Sequence, residues 1–250
     1  MNKNLKAVTC IIPSYNESKT IAGVIETCLE TPEINEIIVV NDGSKDNTLE
    51  KLKPFAQKIK VINLDKNQGK GYAVAQGIKA ASNFYLLFLD ADLINLEPHH
   101  LYSLFQPIVE NKADMTIGSF VSSKNLFNHT PWRFSGQRCF KKEYLSPLIK
   151  EIEKTNYGLE VFLNERLKEK RVVVVPIVTY RNYHFIKPKK QKDWLKAYTR
   201  EVWQVFQQTI SVKSYSYRKR VKSDFLRSLA KYLKISYDRV KNFLLEEPEE

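Results

Sequence analysis

Short apolar runs alternate with amphipathic stretches from the beginning of the chain. Residues 7–12, 34–40, 60–64 and 84–89 are runs of strand length, rich in β-branched and aromatic side chains. Between them, residues 19–30, 46–55 and 71–81 carry apolar positions at helical spacing, with Ser18 placed to cap the first and Pro54 near the end of the second. Residues 98–111 read as a further helix and 114–118 as a further strand. This alternation predicts an α/β fold, a mainly parallel sheet flanked by helices on both faces. Beyond Ser119 the pattern loosens. Residues 122–136 have polar, aromatic and proline content without a period and read as a loop over one sheet edge. Residues 158–170 return to helical spacing, and 171–178 form a β-branched strand. From residue 189 onward, 194–210, 217–233 and 236–247 read as helices with apolar side chains on one side and Lys and Arg on the other. The expected division is a core over residues 1–186 and a basic, amphipathic helical appendage over 187–250.

Composition changes this picture in two places. A chain of 250 residues, 43% hydrophobic, can bury a full core. It has no apolar run of the roughly 18 residues a membrane span needs. Met1-Asn2-Lys3-Asn4-Leu5-Lys6 runs straight into the first strand without a signal-peptide apolar segment. Cys10, Cys28 and Cys139 are scattered like core thiols, not spaced as a disulfide or zinc framework. The expectation is a cytoplasmic protein. Its net charge of +12 is uneven. Residues 1–120 are near neutral, whereas the stretch from Lys187 to Lys241 is heavily basic. Clustered charge of this kind points to an anionic partner: a membrane surface, a phosphorylated substrate or nucleic acid.

Candidate chemistry gathers at the predicted strand ends. The run ending in Phe88-Leu89 stops at Asp90-Ala91-Asp92, two carboxylates one residue apart. Such a pair is eased by a cation, and oxygen ligands suit Mg²⁺ or Mn²⁺. An Asp-rich turn is the plain alternative. Three other polar clusters follow strands: Pro13-Ser14-Tyr15-Asn16-Glu17, Asn41-Asp42-Gly43-Ser44-Lys45-Asp46-Asn47-Thr48 and Asn67-Gln68-Gly69-Lys70-Gly71. Four clusters at successive strand C-termini would line one crevice, where open α/β sheets bind nucleotides.

With Val8-Thr9-Cys10-Ile11-Ile12 before the first cluster and Val39-Val40 before the second, this series resembles the family 2 glycosyltransferases. Among them it is most similar to the polyprenyl- and dolichyl-phosphate sugar synthases and the phosphoglycerate glucosyl transferases. The resemblance spans residues 8 to about 118 and weakens towards 186. It implies a GT-A fold, a nucleoside-diphosphate sugar donor, a divalent cation (Mg²⁺ or Mn²⁺) and inversion at the anomeric carbon. Within it, Asp90 would lie near the ribose and Asp92 would bind the metal. Asp42 would accept hydrogen bonds from the base or ribose, or simply cap its turn. Pro13, Tyr15 and Glu17 would form the floor beneath the nucleoside, or be an ordinary strand exit. Lys70 would reach a phosphate as a point charge, or be a surface lysine.

On the attacking side, Glu160 in Tyr157-Gly158-Leu159-Glu160 stands where relatives carry an acid after a glycine. It is the candidate base for a hydroxyl acceptor, although a carboxylate in a first helical turn is also favoured by the dipole. His184, ahead of Lys187-Pro188-Lys189-Lys190, is the further metal candidate by the same resemblance, against an ordinary imidazole. Arg138 lies in Gly136-Gln137-Arg138, similar to a segment that contacts a donor or acceptor phosphate in relatives. Trp132 and Arg133 would share its lid.

The basic appendage suits a protein lying peripherally on the inner face of an anionic membrane. That surface is where polyprenyl-phosphate or glycolipid acceptors reside. The same helices would equally dock on the core or form a homodimer. Two competing functions stay open. A sugar nucleotidyltransferase would normally carry a glycine- and lysine-rich loop where Pro13–Glu17 stands. A nucleic-acid-binding module would use the tail, with Tyr215, Tyr217 and Tyr232, but no recognisable motif supports it.

Overall fold

In a computed structural model of the chain, the described residues are 7–122, 125–129, 135–155 and 158–179. Strand β1 (Val8–Ser14) is buried except at Pro13, because neighbours cover both of its edges and helices both of its faces. Its side chains divide with the period of two expected of a strand. Val8, Cys10 and Ile12 enter one apolar cluster and Ile11 the other. Helices α1 (Ile21–Leu29) and α4 (Pro98–Val109) complete the first cluster. Helices α3 (Lys70–Ala80), α6 (Ile149–Ile152) and α7 (Leu159–Arg166) complete the second.

Parallel pairing puts β2 (Ile34–Asn41) on one side of β1 and β4 (Tyr85–Phe88) on the other, with β3 (Lys60–Asn63) beyond β2. The chain thus runs outward through β2 and β3, then returns to the far side of β1. That reversal creates a switch point at the carboxyl ends of β1 and β4, where such sheets open a crevice. The remaining strands are β5 (Met115–Ser122), β6 (Asn125–His129), β7 (Arg138–Lys141) and β8 (Val172–Thr179). The eight-stranded order is β3-β2-β1-β4-β7-β5-β6, with β8 paired to β5. Only β7 and β6 run against the others, so the sheet is mainly parallel, as its sequence predicts.

Some local readings are corrected. Ser18 does not cap α1; Thr20 occupies the cap position without a side-chain capping bond, and the Ser18 N–H donates to Asp46 Oδ2 at 3.2 Å. The stretch expected to be a loop contains β6, whose backbone pairs antiparallel with β5 although its sequence lacks alternation. Strand β7 was not anticipated, since its four residues are too few to show a period. Elsewhere the 46–55 helix is shorter than expected, α2 (Thr48–Leu52) followed by a single 3₁₀ turn at Lys53–Phe55. The remaining helix is the one-turn α5 (Lys142–Leu145). The predicted appendage, residues 187–250, and its boundary near 186 lie outside the described residues.

At the far end of the sheet an ion pair ties β8 to β5. Asp114 accepts from Arg171 Nε at 3.0 Å and Nη2 at 2.9 Å, and from the Arg171 N–H at 3.0 Å. These bonds hold the Asp114 carboxyl well below the usual carboxylate range, outweighing its partial burial.

Candidate active site

The loops after β1 and β2 are locked to each other. Asn16, at φ 58°, donates its N–H to Ser44 Oγ (2.9 Å), and its side-chain oxygen accepts from the Lys45 N–H (2.8 Å). The Glu17 N–H donates to Thr48 Oγ1 (2.8 Å), while the Glu17 carbonyl accepts from the N–H groups of Thr20 and Ile21 at the start of α1. Glu17 therefore anchors a helix start, and Pro13 and Tyr15 sit half-buried beside it.

Asp42 is buried, and both its oxygens face the main chain of the loop after β3. Oδ1 accepts from the Gln68 N–H at 2.7 Å and Oδ2 from the Gly69 N–H at 2.9 Å. The loops pack so closely that a Cβ on Gly43, itself at φ +66°, would stand 2.5 Å from the carbonyl carbon of Lys66. Only glycine fits that turn without strain. The firm role of Asp42 is thus to fix the segment leading into Lys70.

Lys70, the first residue of α3, extends into the switch-point crevice. Its Nζ lies 2.6 Å from Asp90 Oδ1 and 2.6 Å from Glu160 Oε1. Burial would push this ammonium down, but the two carboxylates overcome it and hold it above the ordinary lysine range. Glu160 comes from the first turn of α7, which is seated on the core by Leu159 and Leu163. Gln137, just before β7, donates from Nε2 to the second oxygen of Asp90 at 2.7 Å. A small cleft is lined here by Pro13, Lys70, Asp90, Gly136, Arg138 and Glu160.

The sequence-predicted residues therefore separate into groups. Lys70, Asp90 and Glu160 form one charged cluster, Pro13 and Arg138 line the same cleft, and Asp42 supports it from below. Arg138 is buried, with its guanidinium given to protein acceptors: Nε donates to the Ser135 carbonyl (2.8 Å) and Nη1 to Asn164 Oδ1 (2.7 Å). Its placement is in the wall of the cleft. Asp92 is half-buried one residue beyond Ala91. His184, Trp132 and Arg133 lie outside the described residues. The residue missed by the sequence is Gln137. Its neighbour Arg138 drew attention through the family resemblance, whereas the contact of Gln137 with Asp90 depends on a strand too short to foresee.

The donor set suits a divalent cation in a particular way. Among the described residues no three His, Cys, Asp or Glu side chains cluster as a ready-made metal cage. Lys70 and Gln137 engage both Asp90 oxygens; the resemblance assigns the cation to Asp92, which would contribute one carboxylate to a shell completed by phosphate and water. That is how Mg²⁺ and its analogues are commonly held.

An open α/β sheet with acids and a half-buried lysine at its switch point belongs to the class of nucleotide-binding folds. The chain itself belongs to glycosyl transferase family 2, whose model matches residues 9–156. This membership decides against the nucleotidyltransferase left open by the sequence. The chain is 38% identical over 97 residues to the poly-beta-1,6-N-acetyl-D-glucosamine synthase of Staphylococcus epidermidis, covering 37% of this chain and 23% of that protein. It is 36% identical over 128 residues to the Staphylococcus aureus synthase of the same name, covering 50% and 30%. It thus spans less than a third of the length of these curated relatives. Among solved structures, glucosyl-3-phosphoglycerate synthase from Mycobacterium tuberculosis in complex with phosphoglyceric acid aligns with a TM-score of 0.61 at 20% identity. That alignment covers 81% of this chain and 79% of the other. The same protein in complex with Mn²⁺, UDP-glucose and phosphoglyceric acid aligns at 0.60. The likeness establishes the GT-A fold.

Proposed function

We propose that the protein is a metal-dependent, inverting glycosyltransferase that moves a sugar from a nucleoside-diphosphate sugar to an acceptor. The observation that carries this reading is the Lys70–Asp90–Glu160 cluster beside Asp92 at the switch point of a family 2 sheet. The complexes of the mycobacterial synthase with Mn²⁺ or Mg²⁺ and UDP support the same donor and cation class.

Each residue then has a physical task. Asp42 holds the loop that presents Lys70. Asp90, fixed by Lys70 and Gln137, steadies the ribose. Lys70 exchanges a carboxylate contact for a phosphate oxygen of the donor, which places positive charge where the leaving group becomes more negative. Asp92 would hold the cation, which when bound neutralises the departing nucleoside diphosphate. Glu160, released as Lys70 turns to the phosphate, takes the proton of an acceptor hydroxyl while that oxygen attacks the anomeric carbon from the opposite face. A phosphate acceptor is already ionised and needs no such base. A panel of nucleoside-diphosphate sugars, scored for nucleoside diphosphate released with Mn²⁺ or Mg²⁺, tests the reading.

The acceptor class supported by charge is a lipid-linked phosphate or glycolipid at an anionic membrane surface. No helix among the described residues is long and apolar enough to cross a membrane. The clustered Lys and Arg between Lys187 and Lys241 offer the kind of contact a peripheral protein makes. Full-length protein is expected to co-sediment with vesicles containing phosphatidylserine at low salt and to be released at high salt. Protein left in the supernatant at low salt would remove the membrane from this account.

A further inference from the structure

We propose that Gln137 is a positioning residue for the donor, acting through Asp90; this rests on the donor reading above. The segment from Ser135 to Arg138 is buried throughout and enters the crevice because β7 runs antiparallel to β4, pairing Arg138 with Phe88. Its backbone is fixed on the other side as well, where the Gly118 N–H of β5 donates to the Gln137 carbonyl at 2.8 Å.

The side-chain amide has one orientation that satisfies its neighbours. The Ser135 hydroxyl donates to Gln137 Oε1 at 2.7 Å, which leaves the amide nitrogen directed at Asp90 Oδ2, also at 2.7 Å. The reverse orientation would set a carbonyl oxygen against a carboxylate. Lys70 holds the other oxygen, so Asp90 is gripped at both and cannot rotate. Gly136 lets this wall stand against the acid: a Cβ there would collide with both Asp90 oxygens and with Lys70 Nζ. Lys70 alone, a flexible point charge that must also serve the phosphate, would not fix the carboxylate plane. Gln137 does so from a rigid strand, and keeps Asp90 in register while Lys70 moves.

Two nearly isosteric variants test this. Gln137→Leu removes the donor, and Gln137→Glu sets a second carboxylate against Asp90. Steady-state kinetics of the full chain should show the donor KM raised about tenfold in Gln137→Leu and about a hundredfold in Gln137→Glu. In both, kcat should fall by less than KM rises. A residue that only fills space would lower the melting temperature and leave KM alone, so a donor KM within twofold of wild type in Gln137→Glu overturns the proposal.

A thermal cycle reads the coupling without turnover. Gln137→Leu should lower Tm by roughly 2–4 °C in the native background and by less than half as much when Asp90 is already Ala. Equal losses in both backgrounds also overturn the proposal. Should the wild-type chain act on no nucleoside-diphosphate sugar, the transferase reading falls, and the thermal cycle still decides whether Gln137 and Asp90 are coupled.

Discussion

Replacing Asp92 with alanine is expected to abolish sugar transfer, lowering kcat by at least about 10³-fold while the far-ultraviolet circular dichroism spectrum stays as in the native chain. The asymmetry within the Asp90-Ala91-Asp92 stretch is the reason. Asp90 is gripped by Lys70 and Gln137 and belongs to the internal charge balance of the crevice. Asp92 lies half-buried at the same strand exit and is the carboxylate assigned to the cation. Its loss should therefore weaken cation dependence and turnover much more than folding. Asp92→Asn, which keeps an oxygen ligand but drops the charge, should fall between, with an increased requirement for Mn²⁺. Full turnover in Asp92→Ala would contradict the metal assignment.

The second large effect is expected at Lys70. Lys70→Met keeps the length of the side chain and removes the ammonium, leaving Asp90 and Glu160 facing each other in a partly buried cleft. Breaking such a pair from one side destabilises by about 3 kcal/mol, a loss of roughly 5–10 °C in Tm for a protein of this size. Turnover should drop about 10²-fold because the phosphate loses its cationic contact. Adding Glu160→Gln removes the repulsion, so the double variant should regain more than half of the lost Tm and none of the activity. Absence of that recovery would show that the cluster is not held by charge.

The pH dependence has a defined sign. The folded value of Lys70 is raised above its unfolded one. Its contribution is therefore complete below the ordinary lysine value of about 10.4 and is lost only as pH rises through the higher folded value. Thermal melts should accordingly show a constant gap between native and Lys70→Met proteins from neutral pH to about pH 9.

How much of this was legible in the sequence depends on the range of each interaction. The strands β1, β2 and β4 and the helix α3 announce themselves through local apolar patterning. The turns that follow them carry Gly43, Lys70 and Asp90 at recognisable positions. Three relations were hidden. The bonds from the Gln68 and Gly69 amides to Asp42 involve backbone groups, which every residue possesses and no sequence pattern marks. The Lys70–Glu160 pair joins residues far apart in the chain, brought together only when α3 and α7 enter the same apolar cluster. Gln137 reaches Asp90 because β7 inserts antiparallel between β4 and β5, and four residues cannot advertise a strand. Arg138, singled out through the resemblance of Gly136-Gln137-Arg138 to a phosphate-contacting segment, lines the cleft, while its bonds to Ser135 and Asn164 depend on packing that no local pattern shows.

The most direct test is release of nucleoside diphosphate from a panel of nucleoside-diphosphate sugars, measured with the protein stripped by EDTA and then resupplied with Mn²⁺ or Mg²⁺. No release is expected from the stripped protein, release of one nucleoside diphosphate once the cation returns, and none from Asp92→Ala under either condition. Equal release with and without the cation, or release undiminished in Asp92→Ala, would contradict the metal-dependent reading.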